Sequence, residues 1–227
     1  MNIGGVVPFT TIDYPGALAA VLFCQGCPWR CGYCHNTHLQ SHAKKSPYEW
    51  PHIISFLKMR QNFIEAVVLS GGEPTQQSDL VDAVREIRSL GFKVGLHTAG
   101  MHSAALKAVL PLIDWVGMDI KAPFDGYERI TGVANSGEAA KISAGHVLNS
   151  KAAYEFRTTV HPAFLSKEDL IRMAEQLAAM GVKHYALQPF RSQGCNNANL
   201  SSSYLPVWDD NLISQFTKLF QTFLIRE

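Results

Sequence analysis

Four of the five cysteines in this chain lie within eleven residues, and three of them form a closely spaced motif. Cys27, Cys31 and Cys34 are separated by three and then by two residues, directly after a predicted strand. Thiolates at such spacings hold iron–sulfur clusters, usually four to a cluster. Three thiolates on a four-iron cluster would leave one iron open to bind and activate a cosubstrate. In a reducing compartment, metal binding is the better prediction than disulfide bonding.

A structural zinc site is the alternative for this motif, with Cys24 as the fourth ligand. Zinc commonly draws its ligands as two pairs from separate knuckles, so four ligands in eleven residues would be unusual. We interpret Cys24 as the buried end of the preceding strand, although a role in cluster assembly stays open. We expect Cys195, far from the other cysteines, to be an inert or exposed thiol.

Polar runs also follow the second and third predicted strands. Residues 70–74 contain Gly71 and Gly72, which would let a ligand approach the backbone and leave N–H groups pointing outward. A plain turn is the alternative for such a glycine pair. Thr98 ends the third strand beside His97, and polar residues at strand ends are often turn chemistry. For His97 we expect a structural role at least as readily as a ligand contact.

Charged side chains mark the fourth and fifth predicted strands. Asp119 and Lys121 share one face because side chains alternate along a strand, and a buried charged pair needs a partner or a ligand. An internal ion pair is the alternative. Arg157 has a guanidinium fork that suits a carboxylate, and a structural salt bridge is the alternative. His161 follows at the end of the fifth strand and is a weak candidate for the same pocket.

The cysteine spacing, with the aromatic Tyr33 just before Cys34, resembles that of the radical S-adenosylmethionine superfamily. The longer string resembles the glycyl-radical-enzyme activases within it, and most closely the activating proteins of anaerobic ribonucleoside-triphosphate reductase. The likeness covers the chain to about Phe190, and its flanking motifs are residues 11–16, 23–27 and 34–36. Relatives typically have Asp-Thr-Asn-Gly at residues 97–100, so this chain departs from the pattern there.

The resemblance implies a [4Fe–4S] cluster on the three cysteines of the motif and S-adenosylmethionine as cosubstrate. Residues 70–74 would hold its amino group, with Glu73 orienting the loop. The cosubstrate contacts implied are Tyr33, Gly71, Gly72, Glu73, Thr98, Asp119, Lys121 and Arg157, and those implied in catalysis are Cys27, Cys31, Cys34 and Lys121. The resemblance also implies a glycyl radical enzyme as partner, and a one-electron donor such as flavodoxin or ferredoxin. Residues 10–16 would lie near the mouth of the site.

Short apolar runs alternate with amphipathic stretches, which indicates parallel strands joined by right-handed helical crossovers. Residues 78–90 and 166–180 have helical apolar stripes, each followed by a glycine as a stop. An eight-unit barrel typically takes ~250 residues, so we predict an α/β fold, a partial (β/α)6 TIM-like open barrel. The predicted strands are residues 19–23, 66–70, 93–98, 115–121, 154–160 and 184–189.

We predict one domain over residues 1–227, with a C-terminal helix at 208–225 whose apolar face packs on the barrel. Every motif above falls at the carboxyl end of a predicted strand, where such folds gather their chemistry. That placement follows from the strand pattern and is independent of the family resemblance.

The composition is that of an ordinary globular chain, with 47% hydrophobic and 17% charged residues. A net charge of +1 gives no reason to expect a nucleic-acid or membrane-surface partner. The first residues lack the features of a secretory signal, and the longest apolar run, residues 16–24, is shorter than the ~20 residues of a membrane helix. We therefore predict a cytoplasmic protein.

Three functional hypotheses follow. The first is an activase that cleaves S-adenosylmethionine reductively and generates a glycyl radical on a partner enzyme. The second is a radical enzyme acting on a small molecule such as a nucleoside precursor, which usually needs substrate-binding insertions that this chain has little room for. The third is a non-catalytic zinc-binding scaffold.

Overall fold

The computed structural model describes residues 1–42, 46–197, 199–200 and 208–226. Its sheet has eight strands in chain order, and β1 pairs with β2 antiparallel while all later neighbours are parallel. The two outer strands do not pair with each other, so the barrel is open. The strands are β1 (Ile3–Thr10), β2 (Ala19–Cys24), β3 (Ala66–Gly71), β4 (Lys93–Thr98), β5 (Trp115–Asp119), β6 (Ala153–Val160), β7 (His184–Pro189) and β8 (Thr222–Ile225).

Helices in the crossovers pack on the outer face of the sheet. Two predicted helices are confirmed with shorter bounds, and the second begins with a capping box between Ser166 and Asp169. Gly181, with a φ of 85°, follows this helix in the left-handed region that glycine tolerates. The helices are α1 (Trp50–Arg60), α2 (Leu80–Ser89), α3 (Ser103–Val109), α4 (Tyr127–Thr131), α5 (Ser136–Leu148), α6 (Lys167–Ala179) and α7 (Asp210–Leu219).

The parallel strands are buried on both faces, as their continuous apolar runs predict. On β3, Val67 and Leu69 join the main core beneath the helices, whereas Ala66 and Val68 point into the lumen of the open barrel. Alternation along each strand therefore divides the apolar side chains between two clusters. The lumen cluster is the smaller and is completed by Tyr14, Ala17, Ala19, Val21 and Trp115.

The predicted α/β open barrel with parallel strands is confirmed, and all six predicted strands are present. The described residues add two edge strands, so seven strands run parallel and β1 runs against them. β1 contains two glycines and Pro8, which weigh against a central strand but are accepted at an edge. That the whole chain forms one domain stays a prediction.

The predicted C-terminal helix at 208–225 is wrong at its end. α7 stops at Leu219, and β8 then pairs with the exposed edge of β7. Phe223, which we placed on the helical stripe, instead lies on a strand with its ring 5.2 Å from that of Phe216 and 6.3 Å from that of Tyr185. Pairing with an open sheet edge satisfies backbone groups that a longer helix would leave unused on β7.

The segment at residues 10–16 lies at the amino ends of the parallel strands, not near the mouth as the resemblance implied. It forms the turn between β1 and β2, which places it opposite the carboxyl ends. Tyr14 is nearly buried there, with its ring 6.0 Å from that of Trp115. In the described part of the chain, no helix is both long and apolar enough to cross a membrane.

Candidate active site

A cavity of about 210 Å³ opens at the carboxyl ends of the parallel strands. It brings together the three motif cysteines and nearly all the other predicted site residues, which come from the loops or ends of five strands. The predicted residues on its wall are Cys27, Cys31, Tyr33, Cys34, Gly71, Gly72, Thr98, Asp119, Lys121 and Arg157. Their roles in binding and catalysis stay predictions.

The loop that carries the cysteines has almost no regular secondary structure and is held by other parts of the chain. The backbone N–H of Arg30 donates to the carbonyl of Thr131 at 2.8 Å. The ring of Tyr33 meets that of Phe164 edge-on, 5.3 Å away. Further along the chain, the side chain of Asn197 donates to the carbonyl of Gly32 at 3.2 Å. The thiols are therefore positioned by long-range contacts.

The three thiols fit an iron–sulfur cluster. Each opens into the same cavity, and a cluster binds each thiolate through a separate iron. Burial, with a further contribution from Glu73, raises the pKa of Cys27 to about 12, and burial raises the pKa of Cys31. These thiols therefore keep their protons until iron displaces them.

The zinc alternative lacks its fourth ligand. Cys24 is fully buried in the main core and does not line the cavity. Among the described residues, no group of three or more histidines, cysteines and acidic residues lies close enough together to hold one metal ion.

Neighbouring backbone atoms leave no space for a side chain at Gly71 and Gly72, so glycine is needed at both positions even without a ligand. Gly71 has a φ of 109°, and a Cβ there would lie 2.5 Å from the backbone nitrogen of Cys24. A Cβ at Gly72 would lie 2.3 Å from the carbonyl oxygen of Gly26. The N–H of Gly72 donates to the carbonyl of Cys24, so it does not point outward as predicted. An ammonium ligand is a donor and would need the carbonyl groups of this run instead.

Glu73 has no exposed surface and ties the ends of β3 and β4 together. Its carboxylate accepts hydrogen bonds from the hydroxyls of Thr75 and Thr98, both at 2.6 Å. It also accepts from the backbone N–H of Thr75 at 3.1 Å and of Ala99 at 2.9 Å. Glu73 does not line the cavity, and its hydrogen bonds fit the predicted role of orienting the loop rather than a cosubstrate contact.

The charged residues of β5 and β6 form a network on one wall. The Nε of Arg157 donates to Asp119 at 2.7 Å, and the Nζ of Lys121 lies 3.7 Å from the other carboxylate oxygen. Burial alone would raise the pKa of Asp119, but Arg157 and Lys121 outweigh it and lower that pKa. Burial alone would lower the pKa of Lys121, but Tyr33, Cys31 and Asp119 outweigh it and raise that pKa.

The internal ion pair considered as the alternative is thus present. It does not use all the hydrogen-bond donors of Lys121 and Arg157. Lys121 also lies over the ring of Tyr33, 5.6 Å from its centre. The terminal nitrogens of Arg157 make no further hydrogen bond within the described residues. Arg157 lines the cavity, so its unused donors are available to a carboxylate bound there.

His97 lines the cavity floor and is held by the protein. Its Nε2 donates to the backbone carbonyl of Asp13 at 3.0 Å, and its ring meets that of Trp115 edge-on at 5.3 Å. Burial, reinforced by the charge of Arg157, lowers the pKa of His97 to about 3, so the ring is neutral. These contacts fit the structural role expected for this residue.

Two further residues considered in the sequence, His161 and Cys195, lie outside the cavity. His161 is buried against Phe164 and Phe190 and does not line the cavity. Cys195 is half-buried, with its sulfur 3.9 Å from the carbonyl oxygen of Gly32, so it contacts the cysteine loop instead of lying exposed. Neither side chain touches the cavity.

Sequence reasoning missed several residues on the cavity wall. Two could have been found from alternation, because Thr159 lies on the same face of β6 as Arg157 and its register partner on β7 is Gln188. The residues missed are Trp29, His35, Asn36, Ser70, Ala99, Met101, Thr159 and Gln188. The two that follow Cys34 were part of the motif and were given no role.

Comparison with known proteins identifies relatives of this chain. Residues 21–144 match the radical SAM superfamily. A protein of Methanocaldococcus jannaschii, named for the activation of a glycyl-radical enzyme, is 29% identical over 98% of this chain and 92% of its own length. The pyruvate formate-lyase-activating enzyme of Clostridium pasteurianum is 28% identical over 82% of this chain and 80% of its own.

Solved structures share the fold at low sequence identity. QueE from Escherichia coli superposes with a TM-score of 0.59 at 19% identity, covering 99% of this chain and 93% of QueE. SuiB from Streptococcus suis gives a TM-score of 0.70 at 14% identity, covering 91% of this chain but only 48% of SuiB, so this chain spans about half of that protein. The superfamily match spans more than half of the chain and includes the cysteine loop. The chain therefore belongs to the radical SAM superfamily, which uses a [4Fe–4S] cluster and S-adenosylmethionine.

Proposed function

We propose that this chain is an activase that generates a glycyl radical on a partner enzyme, and that the partner is anaerobic ribonucleoside-triphosphate reductase. The observation that carries the activase role is a small cavity, lined by the three cysteines, in a barrel whose outer strands leave one side open. The names of the two relatives above point to the same class of reaction.

The shape of the cavity favours a substrate that comes from outside. His97 closes the floor, with Trp115 and Tyr14 packed below it. A hydrogen-atom donor on a protein segment can approach through the open side. The small-molecule hypothesis usually needs substrate-binding insertions, and a chain of 227 residues has little room for them.

When bound, the cluster and S-adenosylmethionine supply the one-electron cleavage that yields a 5′-deoxyadenosyl radical. The chain provides the binding and orientation. Cys27, Cys31 and Cys34 would hold the cluster, and carbonyl groups of the 70–74 run would accept from the amino group of the cosubstrate. The free nitrogens of Arg157 would meet its carboxylate. Asp119 and Lys121 lie between the two strands that bear these groups and are proposed to contact the ribose and methionine parts.

The choice of partner rests on the sequence resemblance at residues 11–16, 23–27 and 34–36. For the electron donor we propose a small one-electron carrier such as flavodoxin or ferredoxin, since the reaction needs one reducing equivalent at the cluster.

The test is anaerobic reconstitution with iron and sulfide, reduction, and addition of S-adenosylmethionine. We expect 5′-deoxyadenosine, and, with the reductase present, an organic radical signal by electron paramagnetic resonance. Substituting Cys27, Cys31 or Cys34 with Ala should abolish both, whereas the matched variant Cys195→Ala should keep them. A zinc-loaded, iron-free protein would contradict the enzyme assignment. Cleavage with no radical on the reductase would contradict the activase role and favour a small-molecule substrate.

A further inference from the structure

Thr159 and Gln188 are polar side chains on the cavity wall that belong neither to the charged network nor to the Glu73 network. They are register partners on β6 and β7, both half-buried, and both line the cavity. The Nε2 of Gln188 donates to the hydroxyl oxygen of Thr159 at 2.9 Å. No side chain of the described residues makes a second hydrogen bond to either group.

This single hydrogen bond leaves hydrogen-bonding groups of both side chains unused, including the Oε1 of Gln188 and the hydroxyl hydrogen of Thr159. With Nε2 turned toward the hydroxyl, the Oε1 of Gln188 is an acceptor that no described group satisfies. The hydroxyl of Thr159 accepts from the amide, so its own hydrogen is free to be donated. An acceptor beside a donor is complementary to one residue of an extended peptide, whose N–H and C=O point to the same side.

The pair lies where a substrate from outside must pass. β8 covers β7 only as far as Leu187, whose register partner is Ile225, the last residue of β8. Gln188 is the next residue and lies beyond the end of that strand. It is therefore between the cavity and the open side of the barrel.

Glycine offers a binding site nothing but its backbone, so an enzyme that acts on a glycine Cα–H must hold the adjoining peptide groups. We propose that Gln188 and Thr159 bind the backbone of the partner's glycine segment, Oε1 accepting a peptide N–H and the Thr159 hydroxyl donating to a carbonyl. This inference rests on the proposed function and adds to it the groups that position the substrate.

The test is a binding cycle with the reconstituted holoenzyme in the presence of S-adenosylmethionine. The probe is a short, blocked, fluorescent peptide with one central glycine, compared with versions N-methylated at the glycine nitrogen or at the next one. Fluorescence anisotropy gives the dissociation constants. For the wild type we expect one N-methylation to weaken binding about tenfold, the loss of one hydrogen bond.

Gln188→Leu should weaken binding of the parent peptide by a similar factor. This variant should bind the parent and N-methylated peptides equally, because the substitution and the N-methylation remove the same hydrogen bond. Gln188→Glu keeps an acceptor and should keep the discrimination, which separates hydrogen bonding from packing. Thr159→Val should weaken binding of the parent peptide but retain the discrimination between the two peptides. This variant also tests the inference if Gln188→Leu does not fold. Gln215→Leu, at a half-buried residue of α7 that does not line the cavity, is the matched control and should behave as the wild type.

Two outcomes would overturn the inference: equal binding of parent and N-methylated peptides by the wild type, or undiminished discrimination by Gln188→Leu. Either result together with a glycyl radical on the intact reductase would remove this inference and leave the proposed function standing. Absence of that radical would remove both.

Discussion

The two ends of the sheet use the same lumen in different ways. At the carboxyl ends it is lined by cysteines, a half-buried ion pair and polar groups with unused hydrogen-bonding capacity. At the amino ends it is filled by Tyr14 and Trp115 together with small apolar side chains. His97 lies at the boundary, hydrogen-bonded to the lower segment through Asp13 while its ring lines the cavity.

This difference shows how one sheet can be stable and still carry a reactive site. Polar groups gathered at one end cost desolvation and contribute little to folding unless they are fully paired. Aromatic and aliphatic packing at the other end supplies stability without taking part in the chemistry. We therefore expect substitutions at the amino ends to change stability and those at the carboxyl ends to change function, with Glu73 and His97 affecting both.

The largest expected effect on stability is at the amino ends. Tyr14→Ala removes a nearly buried ring that packs on Trp115 and lies against Gly95, and should lower the free energy of unfolding by about 3–4 kcal/mol. Urea unfolding measures this change. Cleavage of S-adenosylmethionine per folded molecule should stay as in the wild type.

Tyr48→Ala, at a tyrosine that is 38% exposed, is the control and should cost less than about 1 kcal/mol. If Tyr14→Ala lost more cleavage activity than its unfolded fraction explains, the two ends of the sheet would not have separate roles.

A smaller effect is expected where the two loops at the carboxyl ends are joined. Glu73→Gln replaces one carboxylate oxygen with an amide group that cannot accept from the N–H of Ala99 if it keeps the bonds to Thr75 and Thr98. The free energy of unfolding should fall by about 2–3 kcal/mol, because a buried donor loses its partner. Calorimetric titration should also show weaker binding of S-adenosylmethionine.

The exposed Glu175→Gln is the matched control and should change neither quantity. If Glu73→Gln reduced stability but left cosubstrate affinity intact, the loop would not need this anchor.

The smallest effect is a pH dependence at the boundary. The pKa of His97 is about 3 in the folded state and about 6.5 in an unfolded chain, so below about pH 6.5 the unfolded state binds a proton that the folded state does not. This group therefore lowers stability as pH falls below about 6.5, and between about pH 7.5 and 5.5 the loss is about 1.4 kcal/mol. His97→Gln should flatten the decline in that range, as measured by urea unfolding at several pH values.

His52→Gln, at an exposed histidine on α1, should leave the pH profile unchanged. An unaltered decline in His97→Gln would show that other groups cause it.

Local patterns were enough to predict the six inner strands and the edge of the sheet that bears the site. The apolar runs and the glycine stops depend on neighbouring residues only, and motifs such as Asp119 and Lys121 are read from alternation along one strand. The position of the cavity then follows because the carboxyl ends of parallel strands meet at one edge.

Features set by distant residues could not be predicted in this way. β1 and β8 are edge strands that exist because β2 and β7 offer them a partner, and their own sequences fit a loop or a helix as well. Similarly, nothing near Gly72 shows that the backbone of Gly26 will press against it. The pairing of Asp13 with His97 joins residues from different ends of the sheet and has no local signal.

The supports of the cysteine loop have a consequence for the order of events during synthesis. The cysteines leave the ribosome before the residues that brace their loop, which are Thr131, Phe164 and Asn197. The last of these contacts spans 165 residues, so it cannot form until most of the chain has been translated. Iron delivered to a nascent chain would meet an unbraced loop. We therefore expect cluster insertion to follow folding of the chain through Asn197.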